Sequence, residues 1–356
     1  LCKNFYSAGS GSALSHVSLF TGQHSARHGV VHNLSEIKKD LPSITRILSS
    51  HGYKNFGNSK LICPPIGYDE LFSFDELIYP QTSNKNRESV PIKKRTIDYL
   101  RKFPRTFTFI KNIFSKTVGS RILLKQTASH FDGKSSLDYL FNKVKEKQDS
   151  CFVYSTIFHP HTPYCPPNWA IQKVFGERKV REDAYKIQTD VHAWLNGNLG
   201  PAEDTLNDLK DLYKSELFYG DYLVGNFIED LKKADKYDDS IIIITADHGE
   251  FFGEHGEINH GVTVYNEVIR VPFLIKFPKN TIEPREINKL CSHYDLLPTL
   301  VNFLGLETDD NLFLDGKDIL EEEENRSLVI DAPSLVLPNR LSHYPKIIER
   351  HAFFWR

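Results

Sequence analysis

A run of four isoleucines at residues 241–244 requires a sheet that is covered on both faces, because the run is apolar throughout when extended. β-branched side chains favour strands. Residues 151–157 and 271–276 form similar apolar runs, and residues 205–233 have apolar positions at helical spacing. Because strands alternate with helices, the sequence predicts an α/β fold with a mainly parallel central sheet flanked by helices.

Polar side chains follow two of these predicted strands. Asp247 and His248 follow the isoleucine run, and His159 and His161 follow residues 151–157. In α/β sheets, ligands bind beyond the carboxyl ends of the strands. The sequence therefore predicts an active site at this edge of the sheet.

The composition is that of a globular protein. The chain has 356 residues, of which 40% are hydrophobic and 25% are charged. The formal net charge of −2 carries no signature of a nucleic acid partner, and we predict none. The five cysteines are scattered, which argues against a disulfide framework or a zinc knuckle. That pattern favours a reducing compartment, such as the cytoplasm.

Residues 92–125 differ from the rest of the chain in charge. Ten Lys or Arg residues face one acid, Asp98, and are interleaved with phenylalanines. One interpretation is a basic helical insertion that covers part of the core and exposes its charges to solvent. The other is a contact surface for an anionic polymer or for the headgroups of a membrane surface.

Residues 12–22 read Ser-Ala-Leu-Ser-His-Val-Ser-Leu-Phe-Thr-Gly. The segment resembles the nucleophile motif of the sulfatase family, a branch of the alkaline phosphatase superfamily. In that motif a Cys or Ser precedes x-Pro-x-Arg and a Ser-Leu-Leu-Thr-Gly-like helix. Counting back ten positions from Gly22 gives Ser12, so the resemblance implies that Ser12 is the nucleophile. Taken alone, Ser12 is equally well interpreted as a helix N-cap.

Two residues of this motif depart from the family pattern. Leu14 and His16 replace the Pro and Arg that help specify oxidation of the nucleophile to formylglycine. We therefore expect Ser12 to remain an unmodified serine. A histidine at this position resembles the pattern of a branch of sulfatase-like proteins with a Thr or Ser nucleophile. We assign His16 to substrate binding. An unmodified hydroxyl is a weak nucleophile and needs a metal ion to lower its pKa.

A second motif begins at Asp247-His248-Gly249. It resembles the Asp-Asn-Gly or Asp-His-Gly segment of sulfatases, in which the first two residues bind one divalent cation. Calcium is usual in the family, although a histidine ligand suits manganese better. His260 falls where many sulfatases have a Lys or His that contacts the anionic group of the substrate. Further on, we expect Glu267 and Arg270 to form a buried pair.

A third motif, residues 158–167, is similar to the Asp-Pro-His-x-Pro-Tyr segment of sulfatases. By that match His161 binds the ester or protonates the leaving oxygen, a task suited to a group with a pKa near neutral. Lys60 is a candidate for the family's Gly-Lys-Trp-His lysine, which binds substrate. Leu61 and Ile62 replace the Trp and His of that segment, so this assignment rests on position alone.

The resemblance runs from about residue 4 to about residue 325. It divides the chain into a catalytic domain, residues 1–305, and a small, incomplete C-terminal subdomain, residues 306–356. The family also supplies two metal-binding Asp residues from its first strand. Only eleven residues precede Ser12 and none is acidic, so we expect the chain to lack its start and any signal sequence there.

The resemblance implies metal-dependent hydrolysis of a sulfate or phosphate monoester on a small molecule or glycan. A first alternative is a phosphotransferase acting on a glycan or lipid headgroup, which Leu14, His16 and the basic residues 92–125 favour. A second alternative is an inactive protein that keeps the fold to bind an anionic glycan. Absence of the two Asp residues from the full-length protein would support this second alternative.

Overall fold

The computed structural model describes residues 1–31, 35–58, 67–78, 133–146, 150–180, 203–261, 263–309, 312–322 and 326–332, and the backbone of residues 352–355. The chain forms two compact units. The first unit comprises Leu1–Tyr79, Leu137–Thr156 and Asn226–Arg356, and the second comprises Pro80–Ser136 and Ile157–Gly225.

Residues 92–125 lie outside the described residues, so both interpretations of that basic segment stay predictions. The predicted domain boundary after residue 305 also stays a prediction.

The described strands and helices alternate along much of the chain. The strands are β1 Cys2–Tyr6, β2 Lys54–Asn58, β3 Glu76–Ile78, β4 Cys151–Ser155, β5 Ile242–Thr245, β6 Phe251–Phe252, β7 Ile258–Asn259, β8 Phe273–Lys276, β9 Ile287–Ser292, β10 Leu328–Asp331 and β11 Ala352–Trp355. The α-helices are α1 Ser12–Thr21, α2 Ser25–His28, α3 Ile44–Ser50, α4 Tyr68–Phe72, α5 Gly133–Glu146, α6 Asn168–Phe175, α7 Glu203–Lys233, α8 Asn266–Ile269 and α9 Leu296–Leu304. No described helix has the length and apolar character needed to cross a membrane.

The main sheet of the first unit has the strand order β5-β8-β1-β9. Strands β1 and β9 are parallel, whereas β8 runs antiparallel to both β1 and β5. A second sheet, β3-β2-β4, is parallel throughout. The predicted α/β fold with a mainly parallel sheet is therefore confirmed. Among the described strands, β5 lies at a sheet edge, which explains why its residues are half-buried and not fully buried as expected.

The hydrophobic core of the first unit packs helices against the main sheet. Phe5 of β1 stacks on Phe273 of β8, with ring centroids 4.2 Å apart. Phe20 of α1 packs edge-on against Phe72 of α4, with centroids 4.1 Å apart. Helix α1 ends at Gly22, whose φ of 66° lies in the left-handed region that glycine adopts without strain. Helix α1 begins at Ser12, in the segment that follows β1 along the chain.

The expected buried pair between Glu267 and Arg270 is wrong. The Glu267 carboxylate lies 3.2 Å from His255 Nε2, and both side chains are at least 36% exposed. Arg270 instead donates from Nη2 to the Lys3 carbonyl at 3.0 Å. The sequence spacing placed the two charges close together but did not determine where each side chain points.

The first unit does contain a buried ion pair, between Asp295 and Arg326. Arg326 donates to both carboxylate oxygens, at 2.5 Å and 2.6 Å. Asp295 also accepts backbone N–H groups from Ser292 and Lys317, at 2.7 Å and 2.9 Å. Its side chain is 0% exposed and that of Arg326 is 7% exposed. This network ties the start of α9 to the strand that follows Arg326.

Arg326→Ala should destabilise the protein by about 3–5 kcal/mol, because it leaves the Asp295 carboxylate buried without its cation. Urea unfolding followed by circular dichroism measures the change. Lys232→Ala is the matched control, since Lys232 pairs with Glu229 on the surface of α7 and both side chains are about half exposed. Equal unfolding midpoints for the two variants would contradict the prediction.

In the second unit, residues 157–180 pack against the part of α7 that precedes residue 226. Arg178 pairs with Asp208 and Asp211. Glu216 accepts the Cys165 N–H at 2.6 Å and also pairs with His159. The Tyr164 ring is buried and lies edge-on to Tyr213, with centroids 5.7 Å apart. These contacts hold the loop that carries His159 and His161 against the helix.

Candidate active site

Ser12, Asp247 and His248 converge at the carboxyl ends of β1 and β5 in the first unit. Ser12 Oγ lies 3.1 Å from His248 Nε2, and Asp247 Oδ2 lies 3.4 Å from the same nitrogen. Ser12 is the first residue of α1, and Gly11 occupies the N-cap position. The N-cap interpretation of Ser12 is therefore wrong, and its hydroxyl is directed to His248.

The proton position on His248 follows from its partners. Nδ1 lies 2.8 Å from the Gly249 carbonyl, which can only accept, so Nδ1 carries the hydrogen. Burial lowers the pKa of His248 to about 4, because its effect is larger than the opposing effect of the Asp247 charge. The ring is therefore neutral at pH 7 and directs the Nε2 lone pair towards Ser12.

Asp247 is the acid of this cluster. Desolvation opposes its ionisation, but His248, His16 and Ser12 together hold the pKa of Asp247 well below its usual range. Its Oδ1 accepts the backbone N–H of His248 at 3.0 Å, and its Oδ2 lies 3.6 Å from His16 Nε2. Asp247 is thus an ionised carboxylate held beside the Ser12 hydroxyl.

His260 joins the cluster from the loop after β7. Its ring centroid lies 3.9 Å from that of His248, and its Nδ1 lies 3.0 Å from Glu250 Oε1. Burial acts to lower the pKa of His260. The charge and hydrogen bond of Glu250 and the charge of Asp247 act against it, and the net result is a pKa above the usual value. A carboxylate only accepts, so Nδ1–H donates to Glu250.

Of the seven residues assigned from sequence, the structure brings five together: Ser12, His16, Asp247, His248 and His260. His161 belongs to the second unit, where its Nδ1 bonds to the Thr162 carbonyl and its ring lies 4.6 Å from that of Phe158. Lys60 lies outside the described residues. The roles of His161 and Lys60 stay predictions.

His293 is a residue of the site that the sequence did not point to, since it stands in a segment typical of scaffold. Its Nδ1 accepts the Ala8 N–H at 3.3 Å, and its Nε2–H donates to the Ala246 carbonyl at 2.9 Å. Ala8 lies in the loop before Ser12, and Ala246 precedes Asp247. The imidazole therefore links the two segments that carry the nucleophile and the carboxylate.

The donor atoms fit part of a metal site. Two ligand atoms that each lie about 2.1 Å from one ion are about 3.0–3.4 Å apart. His248 Nε2 lies at similar distances from Ser12 Oγ, 3.1 Å, and from Asp247 Oδ2, 3.4 Å. A neutral imidazole whose other nitrogen donates to a carbonyl is typical of metal-binding histidines. Within the described ranges, no three His, Cys, Asp or Glu side chains are grouped to hold a metal ion.

Besides His248, two further buried neutral histidines predict a loss of stability in mild acid. Burial lowers the pKa of His28 to about 3 and that of His293 to about 4. An unfolded histidine titrates near pH 6.5, so below that pH the unfolded chain binds protons that the native chain does not. Each histidine should lower the free energy of unfolding by about 1.4 kcal/mol per pH unit between pH 6 and pH 4.5.

Urea unfolding at intervals from pH 7.5 to pH 4.5 measures this slope. His28→Gln should make the slope shallower, because it removes one of these buried imidazoles. A free energy of unfolding that is constant over this range would contradict the expectation.

The chain is similar to several known proteins. A family model described as "Sulfatase" matches residues 1–306. The uncharacterized sulfatase YidJ of Escherichia coli (strain K12) is 26% identical over 216 residues, which are 58% of this chain and 41% of that protein. Lipoteichoic acid synthase 2 of Bacillus subtilis (strain 168) is 30% identical over 131 residues, 35% of this chain and 20% of that protein. The chain thus spans less than half the length of these two relatives.

The fold is also similar to that of solved structures. The crystal structure of the phosphonate monoester hydrolase of Agrobacterium radiobacter matches with a TM-score of 0.65 at 17% identity, over 93% of this chain and 72% of that one. This likeness supports the predicted fold class. Because the family model covers residues 1–306 of 356, with Ser12, Asp247, His248 and His260 inside the match, the chain belongs to the sulfatase family.

Proposed function

We propose that this chain hydrolyses monoesters of sulfate or phosphate, with Ser12 as an unmodified serine nucleophile. The observation that carries the proposal is the position of the Ser12 hydroxyl at the start of α1, with Oγ 3.1 Å from His248 Nε2. The relatives support the ester class, since they include sulfatases and the structural neighbour is a phosphonate monoester hydrolase.

In the proposed reaction the Ser12 hydroxyl loses its proton to water, Oγ attacks the sulfur or phosphorus atom, and the bond to the leaving oxygen breaks as that oxygen takes up a proton. The ester group passes to Ser12 and is then released by water. The first backbone N–H groups of a helix have no intrahelical partner, and the helix dipole favours negative charge at that end. The start of α1 would therefore stabilise an anionic ester on Ser12.

Asp247 and His248 are the residues proposed to hold a divalent cation. Such an ion would lower the pKa of the Ser12 hydroxyl and offset the negative charge of the ester. Metal binding requires an ionised carboxylate and a neutral imidazole, and these are the states that the two environments favour.

Protons in this scheme are assigned to two histidines. His260 donates from Nδ1 to Glu250, so a second ring hydrogen lies on Nε2 when the ring is protonated. We propose that this hydrogen binds an ester oxygen. His161 is assigned to the leaving oxygen through the family resemblance alone, and Lys60 to a further ester oxygen on the same ground.

A second candidate function is phosphoryl-headgroup transfer, in which a glycan or lipid hydroxyl replaces water in the second step. The specific observation that favours it is the match to lipoteichoic acid synthase 2, together with Leu14 and His16 in the nucleophile motif. Adding an alcohol acceptor to the assay separates the two functions. A transferase would form a new ester and release little free phosphate, whereas a hydrolase would release the free anion.

The peptide that contains Ser12 should have the mass of a plain serine, because Leu14 and His16 replace the residues that specify oxidation. Mass spectrometry of the purified protein measures this directly. An aryl sulfate, an aryl phosphate and an aryl phosphonate monoester, assayed together, then define the ester class. Loss of two hydrogens at Ser12, combined with turnover of the sulfate alone, would contradict the unmodified serine and indicate a formylglycine sulfatase.

A further inference from the structure

His16 is buried, with its side chain 4% exposed, and both ring nitrogens face groups of the protein. Nε2 lies 3.6 Å from Asp247 Oδ2. Nδ1 lies 3.2 Å from the Tyr154 hydroxyl and 3.3 Å from the Tyr68 hydroxyl. A side chain used in this way has little left to offer a substrate, although the family motif suggested that task.

The partners of Tyr154 determine the direction of these hydrogen bonds. Thr156 Oγ1 donates to the Tyr154 hydroxyl at 3.5 Å, which leaves the tyrosine hydrogen to donate to His16 Nδ1. With Nδ1 as acceptor, the ring hydrogen lies on Nε2, facing the Asp247 carboxylate. The Nε2–H group of His16 then faces Asp247 Oδ2 across 3.6 Å, which is an ion-pair distance and longer than a normal hydrogen bond.

We propose that His16 is a positioning residue, which orients the Asp247 carboxylate towards Ser12, and that Tyr154 and Tyr68 fix the tautomer and ring plane of His16. The inference rests on the proposed function, because it gives Asp247 a role at the Ser12 hydroxyl. The two tyrosines come from β4 and α4, so the imidazole is held from two separate elements of the first unit. The Tyr154 ring lies edge-on to His16, at 88°.

The double variant Tyr68→Phe/Tyr154→Phe tests the proposal, because it removes both hydroxyls and keeps both rings. We expect kcat for a small aryl ester to fall about 10- to 100-fold, as is typical when groups that orient metal ligands are lost. KM should stay near its wild-type value. Each single variant should cost less than the double, since one hydroxyl can replace the other at Nδ1.

Two further variants separate positioning from packing. His16→Gln keeps an N–H donor and should retain more activity than His16→Leu, which keeps only bulk. Tyr139→Phe is the matched control, since its hydroxyl bonds to Glu76 on another part of the first unit, and it should match wild type. Circular dichroism and the melting temperature of each metal-free variant confirm that it is folded.

A readout independent of turnover is the affinity for Mn²⁺, measured by calorimetric titration. We expect the double tyrosine variant and His16→Leu to bind Mn²⁺ about 10- to 100-fold more weakly than wild type. A raised KM with unchanged kcat and unchanged Mn²⁺ affinity would overturn the proposal and make His16 a substrate-binding residue. Wild-type kcat and Mn²⁺ affinity in the folded double variant would also overturn it.

The same titration distinguishes this proposal from the proposed function. If the wild-type protein binds Mn²⁺ but hydrolyses none of the three aryl esters, the proposed function fails, and the Mn²⁺ affinities still decide the role of His16. A wild-type protein that neither binds Mn²⁺ nor turns over an ester overturns both.

Discussion

Ser12→Ala is expected to reduce turnover of an aryl ester by at least about a thousandfold, because it removes the atom that forms the covalent ester. The Ser12 hydroxyl is the group that His248 Nε2 faces at 3.1 Å. Its loss should leave the fold intact, since α1 is held by buried side chains further along the helix. Steady-state kinetics measures turnover, and circular dichroism checks the fold.

Ser15→Ala is the matched control for this experiment. Ser15 lies one turn further along α1, and its hydroxyl donates to the Gly9 carbonyl at 3.2 Å, with no contact to the Asp247–His248 pair. We expect Ser15→Ala to stay within a few fold of wild type. Wild-type turnover by Ser12→Ala would remove Ser12 as the nucleophile. Equal losses in both variants would instead point to damage to α1.

Asp247→Ala is expected to abolish ester hydrolysis and to lower the amount of bound divalent metal. The carboxylate is ionised and adjoins both Ser12 and His248. Its removal takes away one of the two side chains proposed to bind the metal ion. Kinetic assays measure the first effect, and we expect turnover to fall by roughly a thousandfold or more if the ion activates Ser12. Elemental analysis of the purified variant measures the second.

Asp239→Ala is the control, because Asp239 is 64% exposed and pairs with Lys279 on the surface. It should keep both the activity and the metal content of wild type. Prolonged chelation provides a second, independent test. If wild-type activity survives chelation and elemental analysis finds no metal, Asp247 does not act through a cation and that part of the proposal is wrong.

The local elements of the site were predictable from the sequence because each depends on neighbouring residues. The isoleucine run predicted β5, and Asp247 and His248 follow its carboxyl end as expected. The apolar positions of residues 205–233 predicted most of α7, which begins at Glu203. The apolar run 271–276 predicted β8 but not its direction, since antiparallel pairing with β1 and β5 depends on the path of the chain.

The alternation of apolar runs and helical spacing determined the fold class. The nucleophile motif and the second motif, residues 247–260, determined the five residues that meet at the site. Only the tertiary structure decided how those residues are held. His248 meets Ser12 across 236 positions, and Tyr154 meets His16 across 138, so no local pattern could pair them. His293 bridges Ala8 and Ala246 through backbone atoms, which every residue type carries. Side-chain type and spacing specify elements, whereas the direction of each hydrogen bond is set by whichever donors and acceptors folding brings within reach.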